Sequence, residues 1–171
     1  MVIKRTGFGQ VEPNHLSAQR TSQIYAQLPA SKDIAQLENG QFVKYDYANG
    51  EVNFEGAGEW MLVYNEIKLY DAPWRESDKD FAMINTNYTD KEMTPRVFKT
   101  NIGDIYTTNC LEKAGAKGVE TTMTDLAVED ELGINAQGFL DKSVKDGIIF
   151  QVVKVYTMPD GQEAVKVMRI K

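Results

Sequence analysis

Histidine and cysteine each occur once in this 171-residue chain, as His15 and Cys110, and that scarcity removes most common catalytic toolkits. So far apart in sequence, the two cannot assemble a Cys–His pair or a zinc site of usual spacing locally. A serine triad would have to recruit His15 from a leading segment punctuated by glycine and proline, and no G-x-S-x-G context occurs. A single cysteine leaves no internal disulfide to form and suits assembly in a reducing cytosol. No apolar run approaches the roughly 18 residues that a membrane span requires. Lys4 and Arg5 are followed by no apolar segment of signal-peptide length, so nothing suggests secretion by that route. Basic charge is also in deficit: 19 Lys and Arg against 25 Asp and Glu give a net charge of −6 and a pI near 4.9. A phosphate backbone needs clustered cations, so nucleic acid is not expected as a partner. There is no internal repeat and no low-complexity tract.

What the chain has is β-patterning. Ile148–Thr157, then the turn sequence Met158-Pro159-Asp160-Gly161, then Ala164–Ile170, reads as a hairpin. Gln41–Tyr47 and Glu51–Phe54 flank Ala48-Asn49-Gly50, where Asn-Gly supplies positive φ at little steric expense, and form a second hairpin. Trp60–Tyr70 is long and aromatic enough to be a mostly buried strand. Arg96–Thr100, Ile102–Asn109 and Thr121–Thr124 continue the short-strand rhythm, and Leu126–Leu140 folds around Ala136-Gln137-Gly138 into two very short strands at a corner. Roughly eight to ten short strands at this spacing predict an all-β domain, an antiparallel β-barrel or β-tulip or sandwich. The length suits one such domain with a small appendage.

The appendage is residues 1–32, an extended N-terminal arm ahead of a barrel domain at residues 33–171. It contains Gly7, Gly9, Pro13 and Pro29 with isolated apolar residues, and a short helix over 17–27 would have only a thin apolar face. Such a segment orders against another surface, either a partner or the protein's own barrel. Its four cations against Glu12 alone leave a surplus of three, so the rest of the chain has a net charge of −9. Basic on acidic favours docking on an acidic partner or a neighbouring copy. Phe8, His15, Leu16, Arg20, Ile24 and Tyr25 are the candidate contact residues, and deleting residues 1–28 should leave a folded barrel. Residues 71–95, with Pro73, Pro95 and charges from Arg75 to Asp80 around Trp74 and Phe81, form one long loop excursion and a second candidate surface.

Other motifs have plainer readings. Asp125, Glu129, Asp130 and Glu131, or Asp78 and Asp80, are carboxylates that could pair as glycosidase acids or hold a hard cation. Neither group follows the EF-hand order, and charges in such segments ordinarily keep loops solvated. Gly7-Phe8-Gly9 lacks the preceding strand and third glycine of a dinucleotide fingerprint and reads as a flexible arm element. Tyr45, Tyr47, Phe54, Trp60, Tyr64 and Tyr70 could make a stacking platform for sugars or bases, but their alternation reads first as core and cross-strand pairs. No cofactor and no metal site is expected.

The arm segment Thr6–Arg20, the Gly103–Asn109 segment and the corner ending in Asn135–Leu140 resemble tailed-bacteriophage head proteins. In particular, the chain is similar to the small decoration or cement proteins on the outside of a capsid shell. That resemblance implies a non-enzymatic β module, made in the host cytoplasm, that binds the major capsid protein on the virion exterior as a symmetric homo-oligomer and stabilises the expanded shell. The rival readings are a tail or baseplate component that binds a receptor or carbohydrate, and a small hydrolase with paired carboxylates.

Overall fold

A computed structural model describes residues 3–5, 9–12, 27–64, 82–84, 94–112, 121–123, 126–159 and 161–171. Every regular element among them is a strand: β1 (Ile3–Arg5), β2 (Val11–Glu12), β3 (Gln36–Glu38), β4 (Phe42–Asp46), β5 (Glu51–Asn53), β6 (Trp60–Val63), β7 (Ala82–Ile84), β8 (Val97–Phe98), β9 (Ile105–Thr108), β10 (Thr121–Met123), β11 (Glu131–Ile134), β12 (Leu140–Asp141), β13 (Phe150–Thr157) and β14 (Glu163–Arg169). The fold is all-β and its strand pairings are antiparallel, with sheet curvature that closes about half a barrel. Six strands are ordered β12-β11-β13-β14-β9-β2 and four are ordered β5-β4-β6-β8, with two-stranded ribbons β1-β10 and β3-β7.

Strand alternation explains how these pieces layer. On β4, Phe42 turns to one face of the four-stranded sheet and Val43 and Tyr45 to the other, and all three are buried. Phe42, Leu62 and Phe98 pack against Tyr106, Leu132, Phe150, Val152, Val165 and Val167 of the six-stranded sheet. The Phe42 and Phe150 rings lie 5.6 Å apart, and Tyr106 meets Phe150 edge-on at 5.7 Å. The opposite face puts Val43, Tyr45, Val52, Met61, Val63 and Val97 against Ile34 and Leu37, with Leu28, Ala30 and Phe54 at the margin. The four-stranded sheet is therefore covered on both sides. Each large apolar side chain so buried contributes roughly 1.5–3 kcal/mol.

The ends of this sandwich are tied differently. At one end Glu59, just ahead of β6, receives Arg169 from β14 at 3.1 Å and Lys99 at 2.6 Å, while Arg169 also donates to the Thr100 carbonyl. At the other, the 135–139 turn is laid on the start of β4, where the Phe42 N–H donates to the Gly138 carbonyl at 2.8 Å. Gly138 has φ +79°, and a Cβ there would stand 2.0 Å from the Phe42 carbonyl oxygen, so only glycine fits.

Two sequence expectations are revised. The strand expected over Trp60–Tyr70 is a strand at Trp60–Val63; Tyr64 lies beyond it, and residues 65–70 lie outside the described residues. The strand expected from Ile102 starts at Ile105, because Asn101–Asp104 is a turn in which the Asp104 carboxylate accepts the Asn101 N–H at 2.7 Å. Most of the 71–95 excursion lies outside the described residues; within it Ala82–Ile84 pairs with β3.

Candidate functional site at the arm junction

The described part of the arm meets the body at two strands: β1 pairs with β10, Lys4 opposite Thr122, and β2 adds to β9, with Val11 opposite Thr108 and Glu12 opposite Thr107. Sequence alone left both a partner and the protein's own barrel open as the surface that orders the arm; at residues 9–12 it is the barrel. The pairing is set by side chains that have no local sequence signature. Glu38 is 1% exposed at the end of β3, and its carboxylate accepts the Gly9 N–H at 2.6 Å and the Gln36 side-chain amide at 3.2 Å. Asn109, also buried, accepts the Gln10 N–H at 2.7 Å and donates to the Gln162 side chain at 3.2 Å. The Thr108 hydroxyl donates to the Gln10 carbonyl at 2.7 Å and accepts the Cys110 N–H at 2.9 Å.

Gly9 is thus not a flexible hinge. It is buried so closely that a Cβ would stand 2.7 Å from the Asn39 carbonyl oxygen and 2.7 Å from both Cβ and Sγ of Cys110. From Glu38 the network runs on to the corner: the Gln41 side chain accepts the Glu38 N–H at 3.1 Å and donates to the Gln137 carbonyl at 2.8 Å. A buried carboxylate linked in this way is expensive to leave without its donors, so the network specifies the register of β2.

On the outer side of the same strands, Tyr156 of β13 reaches past β14 and β9, and its hydroxyl donates to the Glu12 carboxylate. Partial burial pushes the Tyr156 phenol above its usual range, and the bond to Glu12 pushes it further. The ammonium groups of Lys154 and Lys166 stand 5.5 and 5.8 Å from the ring centroid. Beneath, in the core, burial raises the Tyr106 phenol well above its usual range, with the Cys110 thiol adding to the effect, and the hydroxyl has no hydrogen-bond partner among the described residues.

The candidate contact residues Phe8, His15, Leu16, Arg20, Ile24 and Tyr25 lie outside the described residues, as do Asp78, Asp80 and Asp125. The two points between which most of them fall are fixed, however. Glu12 is held in β2, and on the far side the Pro29 carbonyl accepts the Val52 N–H at 2.8 Å while the Ser31 N–H donates to the Val52 carbonyl at 2.9 Å. Of the acidic cluster, Asp130 binds Lys142 at 2.6 Å, which holds its carboxyl below the ordinary range, and Glu129 is exposed. Among the described residues no group of three or more His, Cys, Asp or Glu is arranged to hold a metal ion. The described aromatics do not gather into a platform. Tyr45 is buried, Trp60 lies under Lys44, Tyr64 packs edge-on to Phe98, and Tyr47 alone of this set is largely exposed, at 68%.

Fold and junction together define a class, an all-β antiparallel module whose arm is clamped at residues 9–12. No protein-family model, curated protein or solved structure matches the chain.

Proposed function

We propose that this is a non-enzymatic structural virion protein that binds the outside of a phage capsid shell, through its major capsid protein, and braces it. The observation that carries the reading is the clamp on residues 9–12. A binding element transmits load only if its root is fixed, and here Glu38, Asn109 and Thr108 fix it by main-chain contacts. His15, Leu16, Arg20, Ile24 and Tyr25 fall between that root and the second anchor at Pro29–Ser31. Contacts of this kind, repeated over a lattice, sum through effective concentration.

The test is co-sedimentation of the purified protein with expanded capsids that lack it. Joint replacement of Leu16, Arg20, Ile24 and Tyr25 by alanine leaves both anchors intact and should abolish binding. Undiminished binding by that variant, or absence of the protein from purified virions, would overturn the reading. In the second reading the module sits at the tail or baseplate and binds a receptor sugar. It is favoured by Tyr47, which stands at a hairpin tip with its ring 5.4 Å from that of Tyr45 and inclined by 25°. Binding on a glycan array that disappears with Tyr47→Ala would select it.

A further inference from the structure

Among the described residues, the β13–β14 hairpin has an open strand edge. β11 pairs with β13 at Phe150 and Gln151, and the preceding turn closes the contact at Val152, whose N–H donates to the Asp130 carbonyl and whose carbonyl accepts the Glu129 N–H, both at 2.8 Å. Past the irregularity between Val152 and Lys154, the ladder with β14 is regular from Lys154 opposite Lys166 to Thr157 opposite Glu163, and the Met158 N–H donates to the Gln162 carbonyl at 2.7 Å. Peptide groups alternate sides along a strand. With Met158 facing β14, so do Tyr156 and Lys154, and the N–H and C=O groups of Val155 and Thr157 face the other way. No described strand pairs there. Lys154 and Thr157 are exposed, and Val153, Val155 and Tyr156 are half-buried. Two of the other sheet margins contrast with this one: β5 is covered by residues 29–31, and β12 by the Glu112 N–H donating to Leu140.

We propose that this edge joins two copies of the chain antiparallel about a two-fold axis at Tyr156, with Val155 of each opposite Thr157 of the other. The segment is complementary to itself. Each Val155–Thr157 pair exchanges two main-chain hydrogen bonds, which uses every outward group of both residues. The register sets Lys154 against Met158 instead of another lysine, so no like charges meet across the strands. The valine, tyrosine and threonine of the segment suit an extended pairing. Sliding toward Val152 is blocked, because the Glu129–Asp130 turn already occupies that stretch of edge. So short an edge gives a small interface and a weak, concentration-dependent dimer. The dimer is a property of the isolated chain and stands whether or not the virion reading holds.

Sedimentation velocity over rising protein concentration, with amide hydrogen exchange at low and high concentration, tests it. The wild type should dimerise, with exchange at Val155 and Thr157 slowing as it does. Val155→Pro removes an outward N–H that the β14 ladder does not use, and the symmetry removes it twice, so dimerisation should weaken about tenfold or more. If circular dichroism shows that variant unfolded, Thr157→Pro at the strand's end replaces it with the same expectation. A wild type that stays monomeric throughout, or undiminished dimerisation in a folded proline variant, would overturn the proposal.

Discussion

At the residue scale, the arm junction depends on two positions with opposite demands. Gly9 must have no side chain, since the space a Cβ needs is already filled by Asn39 and Cys110. Gly9→Ala should cost about 1–3 kcal/mol, read as a fall in the midpoint of chemical denaturation. Tyr106 is the reverse case, a hydroxyl in the core without a partner among the described residues. Tyr106→Phe keeps the ring against Phe150 and removes the unsatisfied group, so stability should rise by about 1 kcal/mol; a loss of that size would mean the hydroxyl is bonded in solution. Neither position stands out in the sequence. Gly9 reads as one more arm glycine, and Tyr106 reads as an ordinary strand aromatic. Glu38 is equally inconspicuous, because a buried carboxylate is recognised by its donors and Gly9 is 29 residues away.

At the scale of elements, hairpins were the most legible part of the chain. β4–β5 and β13–β14 combine period-two alternation with turn residues, and their pairing depends on nothing distant. Strand length was less legible. β6 stops at Val63 because its ladder partner ends there: the chain turns at Asn39–Gly40, and the Gly40 N–H caps the Val63 carbonyl at 2.9 Å. The apolar run in sequence carries no record of where a neighbour turns away. β2 depends in part on the Tyr156–Glu12 bond, and this gives it a pH dependence. The Tyr156 phenol is raised above 10.0, so its contribution is complete below the ordinary phenol range and is lost as pH rises through the folded-state value. Above that point a phenolate would face the Glu12 carboxylate. Amide exchange in β2 should therefore accelerate in alkali, and Tyr156→Phe should remove that extra step; identical alkaline profiles for the two proteins would count against it. In acid, Asp130 works in the other direction. Its lowered carboxyl favours the fold above its unfolded value of 3.8, and that contribution is lost as pH falls through the folded-state value.

For the whole molecule, the described arm residues are part of the body they meet. β2 completes the six-stranded sheet, and Leu28 lies at the margin of the second core cluster. Removing residues 1–12 strips the Gly9 donor from Glu38 and the Gln10 donor from Asn109 together. The truncated chain should be less stable by roughly 2–4 kcal/mol, on the scale of hydrogen bonds to charged and buried groups. Equal denaturation midpoints for truncated and intact protein would mean that the clamp contributes little. For the same reason, substitution within residues 13–26 is a cleaner probe of partner contact than deletion of residues 1–28.

Cys110 makes the clamp observable. Its sulfur is fully buried, and the backbone of Gly9 lies directly against it. A thiol reagent added to the native protein must wait for the Gly9 segment to lift away, so the modification rate serves as a clock for that opening. Anything that grips the first dozen residues, whether a shell or a second molecule, should slow the clock, and no label needs to be engineered to see it.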